Sequence, residues 1–260
     1  MRSLMRSALL AVSASLVTST AAQALPILQL DILGGHYDAT TQTVIAGSNP
    51  FTLVAIFTPP PNLTPAQLAG AFAEDVYISA AVSPGYGPGP GNLGSFKFDG
   101  QTIDVTNDMT YGTPPVESGG FTQGYDSGDL APHDIFPTYF REFTFNFDPN
   151  NRTTSYNTRD NTGGLDPNPN GESYFATFAV DTRLLDPRYV IHFDMYNEKY
   201  LQCARTPTSC TDVDIDRFAP FSKDAESAPV PEPATLLLLG SGVVAGAVRK
   251  RRQRQSIASA

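Results

Sequence analysis

The sequence predicts an all-β body, an antiparallel β-sandwich of jelly-roll-like type with long loops and one short helix, followed by a C-terminal transmembrane helix. Two observations predict the body. Apolar and polar side chains alternate in several short segments, as they do in strands with one buried face. Stretches rich in proline and glycine separate these segments, and the chain has 22 prolines and 21 glycines. Helical periodicity is scarce by comparison.

Six segments carry the alternation of half-buried strands. Their inward positions are Leu28, Leu30 and Ile32; Phe51, Leu53, Ala55 and Phe57; Val76, Ile78, Ala80 and Val82; Phe143, Phe145 and Phe147; Tyr174, Ala176, Phe178 and Val180; and Tyr189, Ile191, Phe193 and Met195. Two shorter runs, Ser95–Phe98 and Thr102–Val105, flank the dipeptide Asp99-Gly100. This dipeptide favours a type I′ turn, so the two runs are expected to form a hairpin.

One helix is predicted. Thr64 can cap its N-terminus, Pro65 suits its first position, and Ala66 to Glu74 favours helix. Long loops are expected at residues 83–94, 112–137 and 148–171, and loops of this length are either functional or mobile.

The N-terminus has the pattern of a secretory signal peptide over residues 1–24. Arg2 and Arg6 form its basic region, an apolar stretch follows, and Ala22-Gln23-Ala24 is a cleavage signature. The predicted organisation is therefore a signal peptide, a β-sandwich body over 25–221, a polar tether over 222–229 and a sorting or anchor segment over 230–254.

The C-terminal segment has three parts in a fixed order. Pro231, Glu232 and Pro233 precede an uncharged apolar stretch, 234–248, and a basic cluster follows it. The cluster is Arg249, Lys250, Arg251 and Arg252. Fifteen apolar residues are short for a membrane span, but basic side chains can extend the span to the headgroups. The cluster keeps this end cytoplasmic, so the body lies outside.

This tail resembles the PEP-CTERM sorting signal of exported proteins in Gram-negative bacteria that make exopolysaccharide. The resemblance implies that an exosortase cleaves near Pro-Glu-Pro and that the apolar helix anchors the chain only transiently. The N-terminal pattern predicts export by the Sec machinery and cleavage by signal peptidase. Together, the two ends predict a final place in the envelope, on the surface or in the extracellular matrix.

The chain is acidic, with a formal net charge of −9. This charge disfavours nucleic acid as a partner. Cys203 and Cys210 enclose six residues, and export to an oxidising compartment favours a disulfide between them.

Two acidic segments are weak candidates for a metal, with calcium as the cofactor considered. Asp166, Asn168 and Asn170 match the first half of a calcium loop, although Thr177 stands where the loop needs glutamate. An ordinary turn is the alternative interpretation. The alternating aspartates of Asp212–Asp216 fit a solvated edge strand as well as a cation site.

No catalytic site is predicted. His192 and Asp194 share a strand face, and His133 precedes Asp134, but no nucleophile motif accompanies either pair. The acids that could form a glycosidase pair, Glu117, Asp126, Asp129 and Glu142, have no diagnostic spacing.

The body resembles the choice-of-anchor N group, exported bacterial proteins whose shared body is carried on different C-terminal anchors. The residues that carry the resemblance are 28–35, 51–53, 75–79, 133–138 and 219–225. This group has no assigned enzymatic activity to carry over. Export, the acidic charge, the β-rich body and the missing catalytic motif favour a non-enzymatic protein of the cell surface or exopolysaccharide matrix. The alternatives are a carbohydrate-binding module, with Tyr86, Tyr111, Tyr125 or Tyr139 stacking on sugar rings, and a secreted hydrolase.

Overall fold

A computed structural model describes residues 27–114, 135–201, 212–219 and 223–228. Among these residues, no helix is both long enough and apolar enough to cross a membrane. The signal peptide, both cysteines and the C-terminal tail lie outside the described residues, so the predictions made for them are not addressed by the fold.

The described chain is mostly β, with one short helix. Its elements in chain order are β1 Leu28–Ile32, β2 His36–Asp38, β3 Thr43–Ile45, β4 Phe51–Phe57, α1 Pro65–Ala73, β5 Val76–Ser83, β6 Ser95–Phe98, β7 Gln101–Asp104, β8 Thr110–Gly112, β9 Thr138–Phe145, β10 Arg152–Thr153, β11 Ser173–Asp181, β12 Val190–Leu201, β13 Asp212–Phe218 and β14 Asp224–Glu226.

The strands form two open sheets. The first sheet has the order β1-β4-β11-β6-β7, with β10 paired to β11. The second sheet has the order β2-β3-β14-β12-β5-β9-β8, with β13 paired to β12. All pairs are antiparallel except β3 with β14, which is parallel. The predicted antiparallel sandwich therefore contains one parallel pair among the described strands. A parallel pair needs a long connection, and most of the described body lies between β3 and β14.

The main core lies between the sheets, where the predicted inward residues meet. Leu30 and Leu53 of the first sheet and Ile78 and Phe193 of the second are all fully buried in one apolar cluster. Aromatic rings join the layers directly, and the ring centroids of Phe51 and Phe193 are 6.2 Å apart. The period-two pattern therefore identified the core face of these strands correctly.

Two local predictions are confirmed. The Thr64 hydroxyl caps α1 by accepting from the backbone N–H of Gln67. The Gln67 side chain in turn accepts from the backbone N–H of Thr64, and the two bonds make a capping box. Asp99 and Gly100 both have positive φ, 46° and 84°, and they join β6 to β7 as a type I′ turn requires.

Strands β1 and β12 differ from the half-buried strands that were predicted, because both of their faces are covered. Gln29 and Asp31, on the outer face of β1, are completely buried. His192 and Asp194, on the outer face of β12, are each 2% exposed. Both strands therefore bury polar side chains away from the apolar core.

Candidate functional site

Strand β14 corrects the prediction of a polar tether at residues 222–229. Residues 224–226 pair with β12 on one side and with β3 on the other. Lys223 and Asp224 are 3% and 1% exposed, and Ser227 is fully buried. A run of small and charged residues resembles a solvated linker, but here the partners that compensate its charges come from distant strands.

The register of β12 and β14 assembles a polar cluster on one sheet face. His192 lies opposite Glu226, and Phe193 lies opposite Ala225. Because side chains two residues apart share a face, Asp194 and Asp224 lie beside the first pair on the same side. We call His192, Asp194, Asp224 and Glu226 the histidine cluster.

The imidazole of His192 contacts carboxylates through both nitrogens. Its Nε2 lies 3.5 Å from an Asp194 oxygen and 3.7 Å from an Asp224 oxygen. Its Nδ1 lies 3.6 Å from an oxygen of Glu226, whose side chain is 22% exposed. One ligand atom from each of His192, Asp194 and Asp224 can be chosen so that all three lie within 4.8 Å of one another.

The electrostatics of His192 follow from this geometry. Burial alone would lower its pKa, but the facing carboxylates of Asp194, Asp224 and Glu226 outweigh burial and hold the pKa well above the ordinary value. The charge of Asp194 is the largest of these opposing effects.

A second buried polar cluster lies on the outer face of the first sheet. Asp31 accepts hydrogen bonds from the Tyr156 hydroxyl at 2.7 Å, the backbone N–H of Gly163 at 2.9 Å and the N–H of Ile32 at 2.8 Å. Burial raises the pKa of Asp31, although these three bonds oppose the shift. We call Asp31, Tyr156 and Gly163 the aspartate cluster.

The loop that closes over Asp31 is part of the long segment 148–171. Gln29 also holds it, because its amide donates to the carbonyl of Tyr156 and accepts from the N–H of Thr158. Lys223 bonds to Asn157 of the same loop. Desolvation lowers the pKa of Lys223 to about 8, and Asp160 and Asp31 partly offset this effect. The loop is therefore bonded both to β1 and to the residue that precedes β14.

The predicted calcium loop lies at the far end of this segment. Asp166 and Asn170 are exposed. The Asp166 carboxylate accepts from the Thr154 hydroxyl at 3.3 Å, and the Asn168 side chain accepts from the N–H of Asn170 at 2.9 Å. The side chains thus hold a turn, and calcium binding there stays a prediction.

Three of the four tyrosines nominated for sugar stacking come together. The ring centroid of Tyr139 lies 6.1 Å from that of Tyr86 and 5.4 Å from that of Tyr111. Tyr189 joins them, 5.9 Å from Tyr86. Tyr111 is 36% exposed. These four rings, the tyrosine patch, lie where the loop at residues 84–94 meets β8 and β9; Tyr125 is outside the described residues.

The remaining nominated residues are not brought together by the described structure. Glu142 lies on β9 and accepts a hydrogen bond from the Tyr196 hydroxyl. Its potential partners Glu117, Asp126 and Asp129 lie outside the described residues, as do His133 and Asp134. Among described strands, β13 pairs only with β12, which agrees with the edge strand predicted for 212–216.

The comparison with protein families finds a match at the C-terminus. Residues 229–252 match the family described as the PEP-CTERM protein-sorting motif. The tail carries a sorting signal. The match begins directly after Ala228, the last residue described beyond β14. No curated protein and no solved structure matches the chain.

The PEP-CTERM motif has consequences for location and processing. It implies export to the cell envelope or surface of a Gram-negative bacterium, with an exosortase as the processing partner. The predicted sorting residues Pro231, Glu232 and Pro233 lie within the match, as does the basic cluster 249–252. The match covers the tail and leaves the role of the body open.

Proposed function

We propose that the chain is a non-enzymatic protein of the cell surface or exopolysaccharide matrix, delivered by its C-terminal signal. The Sec machinery exports it, signal peptidase removes residues 1–24, and an exosortase cleaves it near Pro231-Glu232-Pro233. The match of residues 229–252 to the PEP-CTERM motif carries this proposal. The apolar stretch 234–248 anchors the chain until cleavage, with the basic cluster on the cytoplasmic side.

The position of β14 supports cleavage without loss of the folded body. The backbone of Ser227 bonds to Ile191, and the Ser227 hydroxyl accepts from the Ile191 N–H, both at 2.9 Å. These bonds are made by Ser227, which lies five residues before Glu232 in the sequence. A cut at the motif therefore leaves the last strand in the sheet. The jelly-roll-like sandwich and the choice-of-anchor N resemblance fit a display body of this kind.

Replacement of one glutamate tests the sorting proposal. Glu232→Gln is expected to leave full-length precursor in the membrane fraction, whereas Glu172→Gln, an exposed acid of the body, is expected to be processed as wild type. Immunoblots of membrane, envelope and medium fractions would show the precursor and the mature form. Normal processing of Glu232→Gln, or unchanged processing in a strain without exosortase, would contradict the proposal.

The proposal includes a disulfide between Cys203 and Cys210. The last described pair of the β12–β13 hairpin is Leu201 with Asp212, and each cysteine lies two residues inside it along the sequence. Mass spectrometry of the exported protein after alkylation without reductant should show no labelled cysteine. Labelling of both thiols in the native exported protein would remove the disulfide from the proposal.

A carbohydrate-binding body is a second candidate, favoured by the convergence of Tyr86, Tyr111 and Tyr139. Tyr111 is the most exposed of these rings, so Tyr111→Ala should abolish retention on the organism's own exopolysaccharide. Tyr37→Ala, a half-buried tyrosine outside the patch, should be retained as wild type. Absence of any retention of the wild-type protein would exclude this candidate.

The absence of enzymatic activity is likewise part of the proposal. Model glycosides and esters should not be turned over by the exported protein. Turnover that Glu142→Gln abolishes, with the fold retained by circular dichroism, would replace the display role with a hydrolase.

A further inference from the structure

We propose that His192, Asp194 and Asp224 bind one divalent transition-metal ion of the Zn²⁺ class at the junction of β12 and β14. The inference concerns the body alone and does not depend on how the tail is processed. The first argument is the type of ligand. Zn²⁺ binds imidazole nitrogen together with carboxylate oxygen, whereas cations such as Ca²⁺ and Mg²⁺ prefer oxygen ligands alone.

The spacing of the ligand atoms is the first observation. The separations of 3.5 and 3.7 Å from His192 Nε2 to the two aspartates exceed the range of about 2.7 to 3.2 Å for a good hydrogen bond. Bonds of about 2.0 to 2.2 Å in a tetrahedral zinc site place ligand atoms about 3.3 to 3.6 Å apart. The aspartates therefore lie near the distance that a shared ion sets.

The orientation of the imidazole is the second observation. Nε2 points to the two buried aspartates, while Nδ1 points to Glu226 at 3.6 Å. Metal-bound histidines commonly place the second nitrogen against a carboxylate, which holds the ring and its tautomer. Glu226 is therefore assigned a positioning role outside the ligand set.

The neighbouring strand adds a third observation. Ser79 of β5 lies directly opposite Asp194 in the sheet register and is fully buried. Its hydroxyl is buried without a hydrogen-bond partner among the described residues. A buried hydroxyl normally has a partner, and an ion or an ion-bound water on this face would provide one.

The ligands come from elements far apart in the chain. His192 and Asp194 lie on β12, whereas Asp224 lies on β14, which also pairs with β3. A bound ion would therefore hold β14, which ends three residues before the matched sorting motif begins, to the centre of the second sheet. Because these three ligands are almost completely buried, the ion would be shielded from bulk solvent, and a water could complete its coordination.

Elemental analysis of the full chain, folded and purified with no chelator, tests the site. The probes are Zn²⁺, Mn²⁺ and Ca²⁺, each offered at equimolar concentration and followed by gel filtration. One equivalent of Zn²⁺ or Mn²⁺ should stay bound, and Ca²⁺ should not. Removal by a chelator should lower the melting temperature, and Zn²⁺ should restore it.

Matched variants distinguish metal binding at the proposed site from nonspecific binding elsewhere on the protein. Asp194→Asn and Asp224→Asn should abolish stoichiometric binding, and Glu226→Gln should weaken it about ten- to a hundredfold. Asp31→Asn, a buried acid of the other cluster, should retain one equivalent. Binding that survives in both ligand variants would overturn the proposal.

The wild-type protein decides the outcome if the ligand variants do not fold. Cobalt(II) in place of zinc should give the intense visible absorption of a tetrahedral site in the folded wild type. Failure of folded wild type to retain any of the transition ions, together with a melting temperature that is insensitive to metal and chelator, would overturn the proposal without any variant.

Discussion

The two buried polar clusters each contain a buried carboxylate with polar neighbours, but they differ in composition and in how closely the polar atoms approach one another. In the aspartate cluster, Asp31 is contacted by donors at 2.7 to 2.9 Å. In the histidine cluster, the corresponding separations are 3.5 to 3.7 Å. The donors to Asp31 are at ordinary hydrogen-bond distance, whereas the separations around His192 are close to those between the ligands of a shared ion, as proposed above. Composition and distance together distinguish the cluster held by neutral hydrogen-bond donors from the cluster proposed to bind an ion.

The largest effect on the hydrogen-bonded cluster is expected from Asp31→Ala. It leaves the Tyr156 hydroxyl and the Gly163 N–H buried without their acceptor, and each unsatisfied group costs about 1 to 3 kcal/mol. The free energy of unfolding should therefore fall by about 3 kcal/mol or more, measured by denaturant titration. A loss no larger than that of a surface variant would mean that these bonds do not hold the loop.

Asp31→Asn serves as the control and adds a pH dependence. It retains an oxygen for the Gly163 N–H, so it should cost less than the alanine variant. Because burial raises the pKa of Asp31 above its ordinary 3.8, the folded state binds more protons than the unfolded state just above that pH. The unfolding free energy of the wild type should therefore decrease as pH rises through this interval, and the Asn variant should lack that component.

Tyr156→Phe should have the next largest effect. It removes one hydrogen bond to a buried carboxylate while it keeps the ring in place, and bonds to charged groups contribute about 1.5 to 3 kcal/mol. Stability should fall within this range, and the metal content should be unchanged. A fall in metal content would show that the two clusters are coupled. It would contradict the assignment of separate roles to them.

Gly163→Ala should cost less. Gly163 has φ of +72°, where a side chain costs about 1 to 2 kcal/mol, and an added Cβ would lie 3.2 Å from the N atom of Gly34. Hydrogen exchange of the Gly163 amide should become faster, because the Asp31 bond is displaced. Gly100→Ala is the control, because Gly100 also has a positive φ but has open space around it. Its loss of stability measures the backbone strain alone, and any additional loss in Gly163→Ala measures the crowding.

The smallest effect is expected on the surface. Arg188 and Asp186 form a bidentate pair at 2.7 to 3.0 Å, which lowers the pKa of Asp186 to about 2. Arg188 is exposed, so solvent screens the attraction and Arg188→Ala should leave the melting temperature almost unchanged. A change as large as that of Tyr156→Phe would mean that short distance alone, without burial, determines the contribution.

Local patterns were sufficient for the elements whose signals lie within a few residues. The alternation of Phe51 to Phe57 predicted a strand and its core face, and Thr64 with Pro65 predicted the start of the helix. Asp99-Gly100 predicted a hairpin turn. The Pro-Glu-Pro tail predicted the sorting signal, because that signal depends on linear order.

The histidine cluster was predicted only by half. His192 and Asp194 were recognised as sharing a strand face, but Asp224 and Glu226 were assigned to a tether. One signal was present, since the spacing of Asp224 and Glu226 repeats that of His192 and Asp194. This signal has meaning only when the two strands are known to pair.

The sequence by itself therefore determined that the chain is β-rich, where its turns lie and which tail it carries, because each depends on side chains close in the chain. Only the tertiary structure decided that β14 enters the second sheet between β3 and β12, parallel to one and antiparallel to the other. The burial of the polar faces of β1 and β12 also depends on the tertiary structure. Asp31 and His192 can be buried there because partners come from segments more than thirty residues away, Tyr156 for Asp31 and Asp224 for His192. Short-range sequence patterns do not predict such long-range contacts.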